Sequence, residues 1–214
     1  MLVMAYTKLL SASDILMTAI RMLEEDGTEG ISLRAVAAAL GVKAPSLYRY
    51  FPQKEALELA VADEVMRAMT AELQSTAALK DPESRFRGTA EAYLRFARER
   101  FELYRFIMDR VDETHGSDVA KGLWSLLLDA ASVVSGQTDD TDAAVATWSF
   151  LHGYAVLEHS GGFGASGPKG ALERGLTAFL TNLRLSPPSQ SKQSAGSATT
   201  TTKGPKRSST SRSR

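Results

Sequence analysis

Residues 32–54, SLRAVAAALGVKAPSLYRYFPQK, constrain the fold of this chain more than any other stretch. Apolar residues recur from Leu33 to Leu40 at the spacing of one helical face, which predicts a short amphipathic helix. Ser32 is a good N-cap for this helix, because its hydroxyl can accept a hydrogen bond from an unpaired amide of the first turn. Gly41 tolerates the left-handed backbone that ends a helix abruptly.

A second short helix is predicted immediately after that turn. Pro45 suits its first position, where the missing N–H would have had no partner. Leu47, Tyr50 and Phe51 would share the inward side, and Pro52 disfavours helical geometry at the residue before it. Two short helices joined by a tight turn describe a helix-turn-helix, whose second helix can enter the major groove of DNA.

The charges of this stretch fit DNA binding. Residues 31–54 contain four basic residues and no acid, a local charge of +4, whereas the whole chain is balanced at 25 basic and 25 acidic residues. Hydroxyl groups at Ser46, Tyr48 and Tyr50 accompany these charges, and such a combination suits a phosphate backbone. The alternative is a solvated helix pair with incidental charges. The basic residues are Arg34, Lys43, Arg49 and Lys54.

The run from Gly41 to Leu57, GVKAPSLYRYFPQKEAL, resembles the signature of the TetR family of transcriptional regulators. Tyr48, Phe51 and Lys54 carry the resemblance together with Leu57. It extends over roughly residues 9–69 and implies a DNA-binding domain of three helices. It also implies a homodimer, since two helix-turn-helix units related by a two-fold axis bind a palindromic operator.

The residues expected to contact DNA follow from their positions. Arg34 is long enough to reach a base edge, and residues 43–46 would enter the groove first. Tyr48 and Lys54 are better placed for phosphates, and Tyr50 is expected to pack its ring inward with its hydroxyl free. The full set is Ser32, Arg34, Lys43, Ala44, Pro45, Ser46, Tyr48, Arg49, Tyr50 and Lys54.

Helical periodicity also dominates the rest of the chain, and no stretch alternates convincingly like a β-strand. We therefore predict an all-α fold with a DNA-binding domain at residues 9–69 and a larger helical domain at residues 70–185. Residues 186–214 are rich in Ser and Thr, carry a charge of +6 and contain no acid. We expect this basic tail to be disordered, either simply solvated or adding sequence-independent affinity for DNA. The predicted helices span about residues 13–26, 54–76, 81–102, 119–135, 141–160 and 168–184.

Several classes of function are disfavoured. The chain has no cysteine, hence no disulfide or thiolate site, and no apolar stretch long enough to cross a membrane. We expect a cytoplasmic protein without a cofactor or a metal. An enzyme, or a helical small-molecule-binding protein, is the alternative. His152 and His159 lie near Glu158 on one helix, although a hydrogen-bonded or core role is favoured over a metal site.

The last two predicted helices, about residues 142–160 and 168–184, have features of an interface. The final helix carries the small residues Ala171, Gly175 and Ala178 on one side, where another helix could approach. Packing inside one subunit explains the same pattern equally well. The TetR resemblance favours dimerisation, because proteins of that family pair through their last two helices.

The large domain resembles one class of TetR regulatory domains through the element Trp148–Gly153, WSFLHG. This resemblance implies a cavity for a small effector, whose binding would shift the helix that begins at Lys54 and release a repressor from DNA. The many aromatic and methionine positions favour an apolar ligand; activation, or a protein partner, remains open. The expected effector contacts are Met66, Met69, Phe96, Tyr104, Phe106, Met108, Trp124, Trp148, His152 and Tyr154.

Overall fold

The computed structural model describes residues 10–27 and 30–185, and within these ranges the protein is entirely helical. The all-α prediction is thereby confirmed. The basic tail, residues 186–214, lies outside the described residues. The helices of the described part are α1 Ala12–Asp26, α2 Leu33–Ala39, α3 Lys54–Ala77, α4 Pro82–Glu99, α5 Phe101–Met108, α6 Val111–Thr114, α7 Asp118–Ser135, α8 Thr141–His159 and α9 Ala171–Leu185.

One long helix, α3, joins the two parts of the molecule. Near its start it packs with α1, which itself packs on α2, and further along it packs against α4 and α7. Helix α8 packs on α4 and α7, and α9 packs on α7 and α8. The 24 residues of α3 span about 36 Å. Because α3 continues through the predicted domain boundary at residues 69–70, the two parts share this helix and one buried apolar core.

Side-chain caps determine where the helices begin. The Ser11 hydroxyl accepts from the amide of Asp14, and the Asp14 carboxylate accepts from the amide of Ser11, forming a capping box. Helix α1 therefore begins before Ser13, the predicted start. Asp81 caps α4 by accepting from the amide of Ser84, and Asp140 caps α8 by accepting from the amide of Ala143.

The predicted helix over residues 81–102 is in fact two helices. The chain leaves helical geometry at Arg100, with φ −138° and ψ 53°, and α5 begins at Phe101. The Phe101 ring then stacks on His159 of α8, with centroids 3.4 Å apart. This change of direction lets α5 bury Tyr104 and Phe106, which a continuous helix would have carried elsewhere. Tertiary packing explains the break, and local sequence did not indicate it.

The last helix also begins later than residue 168. Between α8 and α9 the chain passes through four glycines with positive φ, a region that other residues rarely adopt. These left-handed positions prevent a helix from forming before Ala171. The four glycines are Gly161, Gly164, Gly167 and Gly170.

The contact between α8 and α9 depends on the absence of a side chain at Gly175. A Cβ at this position would lie 2.2 Å from Cζ of Phe150, whose ring also packs against Phe179 at 5.5 Å between centroids. We expect Gly175→Ala to lower the free energy of unfolding by about 1–3 kcal/mol, because the ring of Phe150 must move in a packed environment. Urea unfolding measures the difference.

Gly122→Ala is the matched control for this prediction. Gly122 lies inside α7, and no atom lies within 4 Å of a Cβ added there. The alanine should stabilise the protein by about 0.5–1 kcal/mol through its higher helix propensity. Equal effects of the two substitutions would contradict the proposed role of the Phe150 contact.

Candidate nucleic-acid interface and ligand cavity

The recognition segment, residues 43–50, is a tight turn in place of the α-helix predicted after Pro45. The amides of Ser46 and Leu47 donate to the carbonyls three residues earlier, at 2.9 and 3.0 Å, and a 3-10 helix spans Ala44–Ser46. The amide of Phe51 then donates to the carbonyl of Leu47 at 2.9 Å. The prediction of a regular helix was wrong: hydrogen bonds to the third residue back replace most of the α-helical ones, and Leu47 and Phe51 are held in place by the core.

Buried side chains fix the orientation of the recognition segment. Leu47 is fully buried and Phe51 nearly so, and both belong to the same core as Val36 of α2. Since these residues face inward, the opposite side of the segment faces solvent. The exposed residues of the segment include Lys43, Pro45, Tyr48 and Arg49.

The exposed side of the helix-turn-helix carries unneutralised positive charge. Arg34, Lys43 and Arg49 are exposed, and none of them forms an ion pair or a side-chain hydrogen bond with any described residue. Lys54 differs, because its Nζ lies 3.2 Å from Oε1 of Glu58. The side chain of Lys54 nevertheless remains half exposed. This surface can therefore attract a polyanion without first breaking ion pairs at the three unpaired residues.

Two predicted contact residues also hold the local fold. The Ser32 hydroxyl accepts from the amide of Ala35 at 3.1 Å, as an N-cap should, and keeps its own hydrogen for another acceptor. The Tyr50 hydroxyl donates to the carbonyl of Leu10, just before α1. The expectation that this hydroxyl is free was therefore wrong: it ties the recognition segment to the start of α1.

A largely buried ion pair connects the first turns of α3 to the α5–α6 corner. Nη2 of Arg110 lies 3.1 Å from Oε1 of Glu58, and the two side chains are only 16% and 11% exposed. The Arg110 guanidinium also lies over the Phe106 ring, 3.8 Å from its centroid. Sequence reasoning missed this pair. One indication was available, since Glu58 lies on the same face of α3 as Val61 and Val65.

A cavity of about 400 Å³ lies among α3 to α8. Its volume is within the range of small-molecule sites. Most of its wall is apolar, and its exposed polar residues, His115 and Lys121, are at or just after the α6–α7 connection. The lining residues are Met66, Tyr93, Ile107, Met108, Val111, Thr114, His115, Gly116, Ala120, Lys121, Leu123, Trp124, Leu127, Val145 and Trp148.

The cavity brings together four of the ten residues expected to contact an effector. These four are Met66, Met108, Trp124 and Trp148. Four others are fully buried in the core and do not line the cavity, namely Met69, Phe96, Tyr104 and Phe106. His152 and Tyr154 also lie off its wall. Periodicity identifies the inner face of a helix, but only the packing of several helices decides where that face meets a space.

A chain of hydrogen bonds extends from the cavity wall into the core. Nε1 of Trp148 donates to the hydroxyl of Tyr93 at 3.0 Å. The hydroxyls of Tyr93 and Tyr104 are 3.0 Å apart, and that of Tyr104 is 2.7 Å from Nδ1 of His152. His152 is therefore connected to the cavity wall only indirectly, through the hydroxyl of Tyr104.

The direction of these hydrogen bonds follows from the tryptophan at which they begin. An indole N–H only donates, so Tyr93 accepts from Trp148 and is free to donate to Tyr104, which then donates to Nδ1 of His152. In the reverse order, the hydroxyl hydrogen of Tyr93 would have no acceptor within the network. The satisfied order therefore has an unprotonated Nδ1 on His152.

Burial raises the pKa of both tyrosines in this chain. It raises the pKa of Tyr104 to about 12, although the hydrogen bond with Tyr93 partly opposes this change. Burial, followed by repulsion from Tyr104 and the hydrogen bond with it, raises the pKa of Tyr93 well above 10. Both groups are therefore neutral donors and acceptors at neutral pH.

These shifts predict a loss of stability in alkali. The unfolded phenols ionise near their ordinary pKa of about 10, before the folded ones, so the stabilisation is complete below about pH 10 and is lost as pH rises towards 12. Each group contributes at most about 1.4 kcal/mol per pH unit in this window. Urea unfolding at several pH values measures the slope. Tyr104→Phe should reduce it, whereas Tyr48→Phe, at an exposed position, should leave it unchanged.

The residues considered for a metal site have other roles. His152 belongs to the hydrogen-bond chain, His159 stacks on Phe101, and Glu158 forms a double hydrogen bond with Arg98 at 2.6 and 3.1 Å. Within the described ranges, no group of three His, Asp or Glu residues is placed to hold a metal ion. In the same ranges no helix has both the length and the apolar character needed to cross a membrane.

The fold and the exposed cationic surface define a helix-turn-helix DNA-binding protein. Residues 15–61 match the family model of bacterial regulatory proteins of the tetR family. Residues 86–180 match the model of the tetracyclin repressor-like C-terminal domain. The two matches together cover well over half of the chain, which belongs to the TetR family of transcriptional regulators. Members of this family are DNA-binding regulators and not enzymes, which confirms both the resemblance and the preference for a regulator over an enzyme.

Similar proteins agree with this assignment. An uncharacterized HTH-type transcriptional regulator of Mycobacterium tuberculosis is 26% identical over 159 residues, which are 71% of this chain and 72% of that protein. The solved structure of a protein of unknown function from Rhodococcus sp. RHA1 has a TM-score of 0.68 and 23% identity, covering 84% of this chain and 96% of the other. BioQ in complex with its natural double-stranded DNA operator has a TM-score of 0.59 and 21% identity, covering 82% and 98%. The two structures are evidence for the fold alone.

Proposed function

We propose that the protein is a homodimeric repressor that binds a palindromic operator and is released by a small-molecule effector in the cavity. The observation that carries this proposal is the course of α3, which begins at Lys54 in the DNA-binding part and lines the cavity with Met66. The two residues are 12 positions apart, or about 18 Å along the helix. A ligand that moves Met66 therefore acts on the same rigid element that supports the helix-turn-helix.

The Arg110–Glu58 pair provides a second connection between the cavity and α3. Arg110 lies between Met108 and Val111, which both line the cavity, while its guanidinium binds Glu58 in the first turns of α3. A ligand that displaces the α5–α6 corner would pull on Glu58 and change the position of the recognition segment. The ligand shifts the equilibrium only through its different affinities for the DNA-binding and released states.

Two exposed apolar side chains near the end of α8 support pairing through the last two helices. Val156 and Leu157 are adjacent, 39% and 51% exposed, and do not line the cavity. We propose that residues 142–160 and 168–184 of two chains form the dimer. The small residue Gly175 does not support this proposal, because its open side is filled by Phe150 of the same chain.

We assign direct DNA contact to the exposed residues of the helix-turn-helix. Arg34 and Lys43 are proposed to read base edges or approach them, and Tyr48 and Arg49 to hold phosphates. Ser32 and Lys54 would add phosphate contacts. The remaining members of the predicted set, Ala44, Pro45, Ser46 and Tyr50, would shape the segment that enters the groove. The division of the chain at residues 9–69, 70–185 and 186–214, and a cytoplasmic location, belong to the same proposal.

The test is binding to DNA from around the protein's own gene, titrated by mobility shift at two salt concentrations. The wild type should bind tightly and lose affinity steeply with salt, because phosphate contacts release counterions. Tyr48→Ala should weaken binding by about thirtyfold, the loss of roughly one hydrogen bond of about 1 kcal/mol in each of the two half-sites. Tyr48→Phe, which keeps the ring, separates the contribution of the hydroxyl from that of the ring.

Three outcomes would each contradict a part of the proposal. If neither this DNA nor any sequence recovered by selection from random DNA were bound, the helix-turn-helix would not be functional. If a ligand saturated the cavity and left operator affinity unchanged, release by an effector would be wrong. Sedimentation of the operator complex gives the stoichiometry, and a single chain per palindrome would exclude the dimer.

A further inference from the structure

We infer that the effector is an amphipathic carboxylate, with an apolar body inside the cavity and one anionic group beside Lys121 and His115. This inference rests on the proposed function, because it names the ligand class of the proposed effector cavity. Three features of the cavity carry it: the scarcity of available polar groups on its inner wall, the charge at its polar end, and the ease with which Lys121 can exchange partners.

The inner wall offers few hydrogen bonds to a ligand. The indole N–H of Trp148 donates to the hydroxyl of Tyr93, and the hydroxyl of Thr114 donates to the carbonyl of Arg110 at 3.0 Å. The remaining wall consists of aliphatic and methionine side chains and of Trp124, whose indole N–H has no hydrogen-bond partner among the described residues. A ligand body with many polar groups would lose its hydrogen bonds to water there and regain few of them, which is costly. We therefore expect the body of the ligand to be predominantly apolar.

The charged side chain that lines the polar end of the cavity is a cation. Lys121 and His115 are its ionisable side chains there, and none of the lining residues is an Asp or a Glu. Both residues are exposed, so a ligand head group placed between them would keep part of its hydration. A carboxylate at this position accepts hydrogen bonds from Lys121 and from the imidazole. An ammonium group would be repelled by Lys121 and would find no carboxylate among the lining residues.

The present partner of Lys121 is easily replaced. Nζ of Lys121 lies 3.4 Å from Oδ1 of Asp118, one turn earlier on α7, and the Asp118 side chain is fully exposed. Exposed pairs at this spacing contribute little to stability, since water screens both charges. Transfer of Lys121 from Asp118 to a ligand carboxylate therefore costs almost nothing, and Asp118 remains hydrated.

The chain contains its own probe for this site. It has two tryptophans, and both Trp124 and Trp148 line the cavity. All tryptophan fluorescence of the protein therefore comes from the cavity wall, and a ligand that enters must change it. Binding can be measured on the unmodified full-length protein, without knowledge of the operator.

The experiment compares three head groups on two apolar bodies. The probes are octanoate, 1-octanol and octylamine, together with 3-phenylpropionate, 3-phenylpropanol and 3-phenylpropylamine, each titrated below its aggregation threshold while tryptophan fluorescence is followed. In at least one series the carboxylate should bind about fivefold more tightly than the alcohol, as expected for partly solvated charge pairs, and the amine should bind most weakly.

Variants of Lys121 test whether this residue causes the preference for the carboxylate over the alcohol. Lys121→Met should reduce the affinity for the carboxylate to that for the alcohol and leave the affinity for the alcohol unchanged. Lys121→Arg, which keeps the charge, should retain the preference. Lys80→Met is the matched control, because Lys80 is exposed and does not line the cavity. Since both positions are exposed, the three variants should fold like the wild type.

Each contrary result has a distinct meaning. Equal binding of acid and alcohol, or a preference that survives Lys121→Met, would overturn the assignment of an anionic ligand while leaving the cavity as an effector site. No change of tryptophan fluorescence with any of the six probes would overturn the inference and, with it, the use of this cavity for small apolar ligands. The proposed DNA binding would stand in either case, since it is measured separately.

Discussion

Replacing Glu58 by alanine is expected to lower the free energy of unfolding by about 2–3 kcal/mol, because Arg110 would remain buried without its carboxylate partner. This value is below the full cost of breaking a buried pair, because the Arg110 side chain keeps 16% exposure. The Arg110 guanidinium has no spare acceptor to replace Glu58, since its Nε already lacks a hydrogen-bond partner among the described residues. Urea unfolding monitored by circular dichroism measures the loss.

The double variant Glu58→Leu with Arg110→Met distinguishes the cost of an unpaired buried charge from the contribution of the ion pair itself. Replacing both charges by apolar side chains of similar size should restore stability to within about 1 kcal/mol of the wild type, since no charge is then left unpaired. Glu25→Ala is the surface control: its pair with Arg21 is 57% exposed on both sides, and its loss should cost less than about 0.5 kcal/mol. A double variant as unstable as Glu58→Ala would show that the pair itself is not the cause.

The same double variant tests how the cavity communicates with DNA. If the Arg110–Glu58 pair carries the displacement of the α5–α6 corner to α3, the double variant should bind operator and ligand but lose the effect of ligand on operator affinity. An unchanged effect would leave the Met66 contact on α3 as the connection between the two sites.

Replacing Leu47 by alanine is expected to cost about 3 kcal/mol of stability and to abolish operator binding. Leu47 is fully buried, and the recognition segment has few regular hydrogen bonds of its own, so its position depends on this anchor. The expected loss of stability combines the lost free energy of burying the leucine side chain with the cost of the cavity left beneath the segment.

Tyr48→Ala is the informative comparison for Leu47→Ala. Tyr48 is adjacent in sequence but 48% exposed, so its replacement should change the free energy of unfolding by less than about 0.5 kcal/mol while weakening DNA binding. Urea unfolding and mobility shift on the two variants then distinguish loss of the segment's anchor from loss of a DNA contact. A Leu47→Ala protein of wild-type stability would contradict the anchoring role.

Much of the candidate interface could be predicted from local sequence. Ser32, Gly41, Leu47 and Pro52 each act through their own backbone preference or through the apolar pattern, so the start, the turn and the inward positions of Leu47 and Phe51 were predictable. Tyr50, which was also predicted on the inward side, is exposed. The exposure of Arg34 followed from the same pattern. What failed was the regular geometry of the second helix and the free hydroxyl of Tyr50, because both depend on contacts with residues outside the segment.

The cavity was much less predictable. The sequence identified amphipathic helices, but Tyr104 and Phe106 are enclosed by the core while Met66 and Trp124 face open space. These residues are alike in type and in periodicity, so nothing local distinguishes them. The break at Arg100 redirects α5 and so places Tyr104 and Phe106 in the core, whereas Met66 and Trp124 lie on α3 and α7.

By itself the sequence determined the helical fold, the family, the helix-turn-helix and the sign of its charge, because each depends on neighbours within a few residues along the chain. The tertiary structure alone decided which apolar side chains line the cavity, that His152 acts through Tyr104, and that Glu58 meets Arg110 across 52 positions. Contacts of this kind depend on how whole helices pack, and packing is a property of many residues at once. No single segment contains that information.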